Sequence, residues 1–226
     1  LGIPLLLGVD AIHGHSFWPG ATIFPTQLGI SSSWNAELIE EMGRVTAREM
    51  RNTGVAWTFS PVLGIARDLR WGRVGETFGE DPLLIGDFAI ALIRGLQGEN
   101  LSSPDKVLAC AKHFTGYSET QGGRDASEAD ISMRKLRSYF LPPFERAARA
   151  GVGSFMTGYQ SMEGVPMTAN RTLLRKVLKE EWGFEGLLVT DWNNVGTLVT
   201  GQKVAPYYKH AAKIAVEAGN DLIMST

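Results

Sequence analysis

What most limits the fold of this chain is an alternation repeated along its length. Short apolar runs are separated by longer amphipathic segments, with no low-complexity tract or long charge run between them. The runs occupy residues 5–10, 56–62, 108–114, 154–159, 187–192 and 221–225. They are rich in Val, Ile, Leu and Phe, as strands covered on both faces must be. The segments between them carry helical spacing and helix ends. Asn35, or a serine near it, caps a helix in which Leu38, Met42, Val45 and Met50 recur, and Gly54 stops it. Asp81-Pro82 opens a second helix, with proline at the first position, where a missing N–H is harmless; Gly95 is its expected end. Asn170 caps a third, with a stripe of Leu173, Leu174, Val177 and Leu178, closed by Gly183. A fourth runs over about 206–217 and stops at Gly219.

Strand and helix in alternation predict a parallel sheet, either open and doubly wound or closed into a barrel. The polar residues decide between these. Asp10, His113, Tyr159 and Asp191 each fall at the C-terminal end of an apolar run, and a (β/α)8 TIM-type barrel gathers its functional residues from those ends. About six strands are readable, so the barrel is expected to be incomplete. Residues 1–226 are read as a single α/β barrel domain. The chain opens on Leu1 and closes at Thr226 inside an apolar segment, which reads as a piece of a longer protein.

Composition narrows the partners. Charged residues make up 20% of the chain and the net charge is -2, so it has no basic footprint for nucleic acid or an anionic membrane surface. No apolar run reaches the roughly 18 residues of a membrane span, and no leader pattern is present. Cys110 is the single cysteine, so no disulfide forms within the chain.

The strand ends carry the candidate chemistry. Asp191 could be a nucleophile, a base, a metal ligand or simply the N-cap of the next helix. Trp192 beside it offers a face for a sugar ring. Asp10 could pair with sugar hydroxyls or satisfy loop amides. Lys112 and His113 would be costly if buried without partners. Neighbours on a strand point opposite ways, so both face one ligand only if the strand twists or bulges. The loop over 66–82 holds Arg67, Arg70 and Arg73 among acids and glycines; some arginines should brace it and one should reach the ligand. Arg124, in Gly122-Gly123-Arg124-Asp125, reads the same way. His13 and His15 have a metal-binding spacing, which keeps a metal-dependent barrel hydrolase open as an alternative. A non-catalytic carbohydrate-binding barrel is another.

Taken in order, GVDAIHGH (8–15), ATIFPTQLG (21–29), the arginine loop ending GEDP (70–82), AKHF (111–114), MTGY (156–159) and LLVTDW (187–192) resemble glycoside hydrolase family 3, in its β-glucosidase and exo-β-glucan glucohydrolase branch. The resemblance implies a retaining β-glucosidase acting on terminal non-reducing β-D-glucosyl residues of β-glucosides or β-glucan oligosaccharides. It implies Asp191 as nucleophile, with Asp10, Arg73, Lys112, His113, Arg124 and Tyr159 holding the sugar and Trp192 gripping the group beyond it. An Asp at position 10 matches glucose-acting members, whereas xylose-acting members tend to carry Glu. No cofactor or metal is implied. In this branch the acid/base is a glutamate from a following α/β sandwich domain, which these residues do not include. Glu119 and Glu128 have no claim to that role. The loop after His113 lacks the His-Asp pair of the N-acetylglucosaminidase branch. Arg73, Lys112 and Arg124 are expected to lower the pKa of Asp191 by favouring its charge. The compartment is left open, with a secreted or periplasmic setting favoured over the cytoplasm.

Overall fold

A computed structural model describes residues 2–225; Leu1 and Thr226, the ends noted above, lie outside them. In chain order the elements are β1 (Gly8–Val9), α1 (Gln27–Ser31), α2 (Ala36–Asn52), β2 (Trp57–Thr58), α3 (Pro82–Gln97), β3 (Cys110–Phe114), β4 (Glu128–Ala129), α4 (Met133–Lys135) and α5 (Pro142–Arg149). There follow β5 (Ser154–Thr157), β6 (Ser161–Met162), β7 (Val165–Pro166), a wide helical segment Thr172–Glu181, β8 (Leu187–Val189), α6 (Asn194–Thr200) and α7 (Tyr208–Ala218).

Each of the six apolar runs contributes to one parallel sheet. β1 pairs with β2, β3 with β5 and β5 with β8. Single parallel bridges join Trp57 to Leu108, Val62 to Lys112 and Val189 to Leu222, which link the pairs in sequence order. This is the six-stranded part of a (β/α)8 TIM-type barrel. The two faces separate by strand alternation. Ala111, Phe155 and Leu188 join the core under the helices. Trp57, Cys110, Met156 and Val189 form a second cluster, on the barrel's inner face. Leu5 and Leu7 beside β1, and Leu222 at the far edge, are exposed.

The helix starts follow the sequence. Asn35 accepts from Leu38 N–H at 3.1 Å, Asp81 from Leu83 and Leu84 at 2.8 and 2.9 Å, and Asn170 from Leu173 at 3.1 Å. Gly219, with φ 119°, follows α7. Gly95 is a correction: α3 continues through it to Gln97, and Gly98 ends the helix at φ 59°. Gly95 has another role. It lies against α2, where a Cβ would stand 2.2 Å from the Glu40 carbonyl oxygen and 2.9 Å from Gly43 Cα. The sequence reading also passed over α4, α5 and α6 and the small sheet β4–β6–β7. Among the described residues no helix is long and apolar enough to cross a membrane.

Candidate active site

Asp191 lies two residues beyond β8. Its Oδ1 accepts from the Trp192 backbone N–H at 2.7 Å. The Tyr159 hydroxyl, two residues beyond β5, is 2.9 Å from the same oxygen and 3.0 Å from the Trp192 carbonyl, so its one proton serves either. Oδ2 has no hydrogen-bond partner. Its polar neighbour is His113 Nε2, 3.4 Å away.

The β3–β5 register shifts between Ala111 and Phe114. This is the irregularity that two neighbouring strand residues need in order to serve one site. Lys112 and His113 are both 2% exposed. Lys112 Nζ bonds Asp10 Oδ1 at 2.5 Å, a charge-assisted contact that offsets the cost of burying the ammonium. His113 turns to Asp191. Burial, then the charges of Lys112 and Arg73, hold the imidazole well below its ordinary pKa, so its contact with Asp191 at neutral pH is not an ion pair.

Asp191 departs from the expectation set by its cationic neighbours. Its pKa is raised, because burial outweighs everything else. The Trp192 N–H, the Tyr159 hydroxyl, Lys112 and Arg73 each pull it down without cancelling that desolvation. Arg124 takes no part. Its side chain is exposed, and no hydrogen bond or ion pair joins it to Asp191 among the described residues.

In the arginine loop, Arg70 pairs with Asp68 and Arg67 with Glu119, so these brace the loop. Glu119 also holds Lys135, and Glu128 accepts from Gly164 N–H. Arg73 is the arginine that turns inward. Glu76 grips it with two bonds of 2.8 Å, and its guanidinium lies 5.5 Å over the Tyr117 ring. Burial works against its charge, but Glu76, Asp191 and Asp125 together raise its pKa. Asp10, Asp191, Trp192 and Phe17 line a cavity of about 640 Å³, and Asp10 and Arg73 share a second of about 240 Å³. Trp192 is 64% exposed. Seven of the sequence candidates thus converge: Asp10, Arg73, Lys112, His113, Tyr159, Asp191 and Trp192.

His13 and His15 serve other ends. His13 Nδ1 meets the Phe24 carbonyl at 3.0 Å and His15 Nε2 meets Thr53 Oγ1 at 2.9 Å, so both brace the loop after β1. Among the described residues no three His, Cys, Asp or Glu side chains stand close enough to hold a metal. Tyr117, which the sequence reading missed, is buried beneath the site.

The strand ends of this barrel thus gather two carboxylates, a buried lysine, a histidine, a tyrosine and an exposed tryptophan at one mouth, with one arginine turned toward them from the loop above. Comparison with known proteins specifies the family. The model of the glycosyl hydrolase family 3 N terminal domain matches residues 1–226, and the chain belongs to that family. It is 42% identical over 230 residues to a β-xylosidase of Formosa agariphila, covering 98% of this chain and 32% of that protein. It is 34% identical to a periplasmic β-glucosidase of Salmonella typhimurium, covering 100% and 29%. A solved β-glucosidase involved in saponin metabolism, from intestinal bacteria, superposes with a TM-score of 0.97 at 61% identity, covering 100% of this chain and 30% of that one. The chain therefore spans about a third of the length of the curated relatives it matches.

Proposed function

We propose that the whole protein is a retaining β-glucosidase that removes terminal non-reducing β-D-glucosyl residues from β-glucosides or β-glucan oligosaccharides. Asp191 is its nucleophile. The observation that carries this reading is the state of the Asp191 carboxylate: one oxygen is pinned by Trp192 and Tyr159, and the other has no hydrogen-bond partner. A structural N-cap spends its oxygens on backbone amides of the helix it starts. α6 starts beyond Asp191, and its first residue is Asn194.

In this mechanism the Asp191 carboxylate attacks the anomeric carbon and the aglycone leaves as the glycosidic bond breaks. The acid/base glutamate of a following domain protonates the departing aglycone oxygen. It then takes a proton from water, which attacks the anomeric carbon from the face the aglycone left and displaces the Asp191 carboxylate, so the configuration is retained. Lys112 and Asp10 form a charged pair that donates to and accepts from sugar hydroxyls, and Arg73 supplies further donors. Hydrogen bonds that tighten as the ring flattens lower the barrier rather than merely aiding binding. The raised pKa of Asp191 shifts the acidic limb of the pH–rate profile upward from where an ordinary carboxylate would put it.

Residues 1–226 act in this reading as one catalytic barrel domain, and the acid/base is a glutamate from a following domain. Arg124 completes the sugar-holding set in this reading by turning its exposed side chain toward the bound sugar. No metal or cofactor takes part. The 61% identity to a β-glucosidase and the Asp at position 10 support glucose over xylose. The name of the Salmonella relative supports a periplasmic or secreted setting.

The test is the intact mass of the full-length protein after incubation with a 2-fluoro-glucosyl donor bearing an activated leaving group. One adduct per chain, mapping to the peptide that holds Asp191, is the expected result. An active enzyme that labels elsewhere, or not at all, removes Asp191 from the mechanism.

A further inference from the structure

Tyr117 belongs to no strand end and carries no role in the mechanism above, yet the site is assembled around it. It lies in the turn after β3, with 1% of its surface exposed. Its ring meets His113 and Trp71 edge-on at 5.0 and 5.3 Å, and Tyr159 at a tilt at 6.0 Å. The Arg73 guanidinium lies over the same ring at 5.5 Å. His113, Tyr159 and Arg73 are three of the groups that act on Asp191, from β3, the end of β5 and the arginine loop. The Tyr117 hydroxyl donates to Asp125, the residue after Arg124.

We propose that Tyr117 is a positioning residue, whose ring sets His113, Tyr159 and Arg73 against Asp191 and whose hydroxyl clasps the Arg124–Asp125 loop to the site. Packing one aromatic ring against all three fixes their directions together. Aromatic edge contacts and a cation over a desolvated ring are each directional. The hydroxyl does separate work. Arg124 is exposed, and the Tyr117–Asp125 bond holds the backbone that carries it within reach of a sugar at the mouth. Ring and hydroxyl should therefore fail differently: loss of the ring disturbs the chemical step, and loss of the hydroxyl weakens sugar binding.

This inference rests on the glycosidase reading, and the experiment separates the two. In the full-length protein, kcat, KM and the rate of covalent labelling by the 2-fluoro-glucosyl donor are measured for the unmodified enzyme, Tyr117→Phe, Tyr117→Leu, Asp125→Ala and the double variant Tyr117→Phe/Asp125→Ala. Tyr117→Leu should lower kcat and the labelling rate about 10²-fold, the cost of misplacing reacting groups by about 1 Å. Tyr117→Phe should restore kcat to near the unmodified value while KM stays raised, by about tenfold for one lost bond to a charged acceptor. Asp125→Ala should raise KM by the same factor, and the double variant should add nothing. Should Tyr117→Leu fail to fold, the Tyr117→Phe/Asp125→Ala cycle still decides: additive effects, or an unchanged KM, overturn the clasp. A folded Tyr117→Leu that labels Asp191 at the unmodified rate overturns the positioning role alone. An unmodified enzyme that turns over glucosides without labelling Asp191 overturns the site reading and the positioning role with it.

Discussion

Between α2 and α3 the chain packs backbone against backbone. Gly43 and Gly95 meet where a methyl group would collide, and Ile39, Met42, Ile85 and Leu92 around them are at most 2% exposed. Around Asp191 the packing is equally tight, but what is packed is charge. Lys112 and His113 are buried to the same degree as those core side chains, and Asp191 Oδ2 is left without a donor. The first region gains stability from each contact. The second holds groups in states that water would relax, a raised carboxylate and a neutral histidine. Perturbed pairs of this kind concentrate where function needs them, and the surrounding core offsets their cost.

The strongest way to break this contrast is Asp191→Asn. The amide keeps an acceptor for Trp192 N–H and Tyr159 but cannot form the glycosyl ester. Turnover should fall by about 10⁴-fold or more, as when other enzymes lose a nucleophile. Stability should move the opposite way. The folded pKa of Asp191 is raised, so the penalty for its buried charge is fully present above that pKa. It fades as the pH falls toward the ordinary carboxylate value. The variant should therefore melt higher than the parent at neutral pH, and the gain should vanish near pH ~4. Thermal melts across pH check this, and a lower melting temperature at pH 7 would show that Asp191 supports the fold.

Gly95→Ala probes the other region. Overpacking of this kind costs about 1–3 kcal/mol, against the ~1 kcal/mol that alanine gains over glycine in a helix. The contact is with the Glu40 carbonyl at 2.2 Å, which is backbone and cannot swing aside, so the loss should win. Melting should fall by about 2–4 °C for each kcal/mol of net loss, while kcat of the folded enzyme at 25 °C stays unchanged. A rise in melting temperature would mean that the two helices separate easily and that the wall is softer than its packing implies.

The same contrast explains what could be read without coordinates. Strand ends were legible because buried apolar runs announce themselves, and Asp10, His113, Tyr159 and Asp191 follow from where those runs stop. Caps were legible at Asn35 and Asp81, where a side chain, not tertiary context, satisfies the first amides. Gly95 was misread because glycine marks a helix end and a close crossing alike, and only the partner helix tells them apart. β4, β6 and β7 have two residues each, too short to show a period. α5 begins at Pro142-Pro143, which reads as a break before it reads as a first turn. The pKa of Asp191 was misjudged for a deeper reason. Sequence supplies the charges near a group but not the depth of its burial, and here burial is the larger effect. Tyr117 had a faint signal, an aromatic four residues past His113, but only the fold brings Arg73 and Tyr159 to it.

The smallest effect separates two arginines three residues apart. Arg70 and Arg73 both pair with an acid through several short bonds, and the loop's composition alone does not tell them apart; only the family resemblance singles out Arg73. Arg70 is 72% exposed at its side chain, so water screens its pair with Asp68 and replaces it readily when lost. Arg73 is 26% exposed, lies over Tyr117 and acts on Asp191. Arg70→Ala should leave the melting temperature unchanged within error and kcat/KM within about twofold, as for most exposed ion pairs. Arg73→Ala should lower kcat/KM by about tenfold or more, since a guanidinium that binds through forked donors has no substitute in water. Steady-state kinetics on the two variants side by side is the check. Equal losses would mean that the loop works as one braced unit and that Arg73 reaches no ligand. A loss confined to Arg73 would place the division between scaffold and site inside a single loop, between one turn facing water and the next facing Asp191.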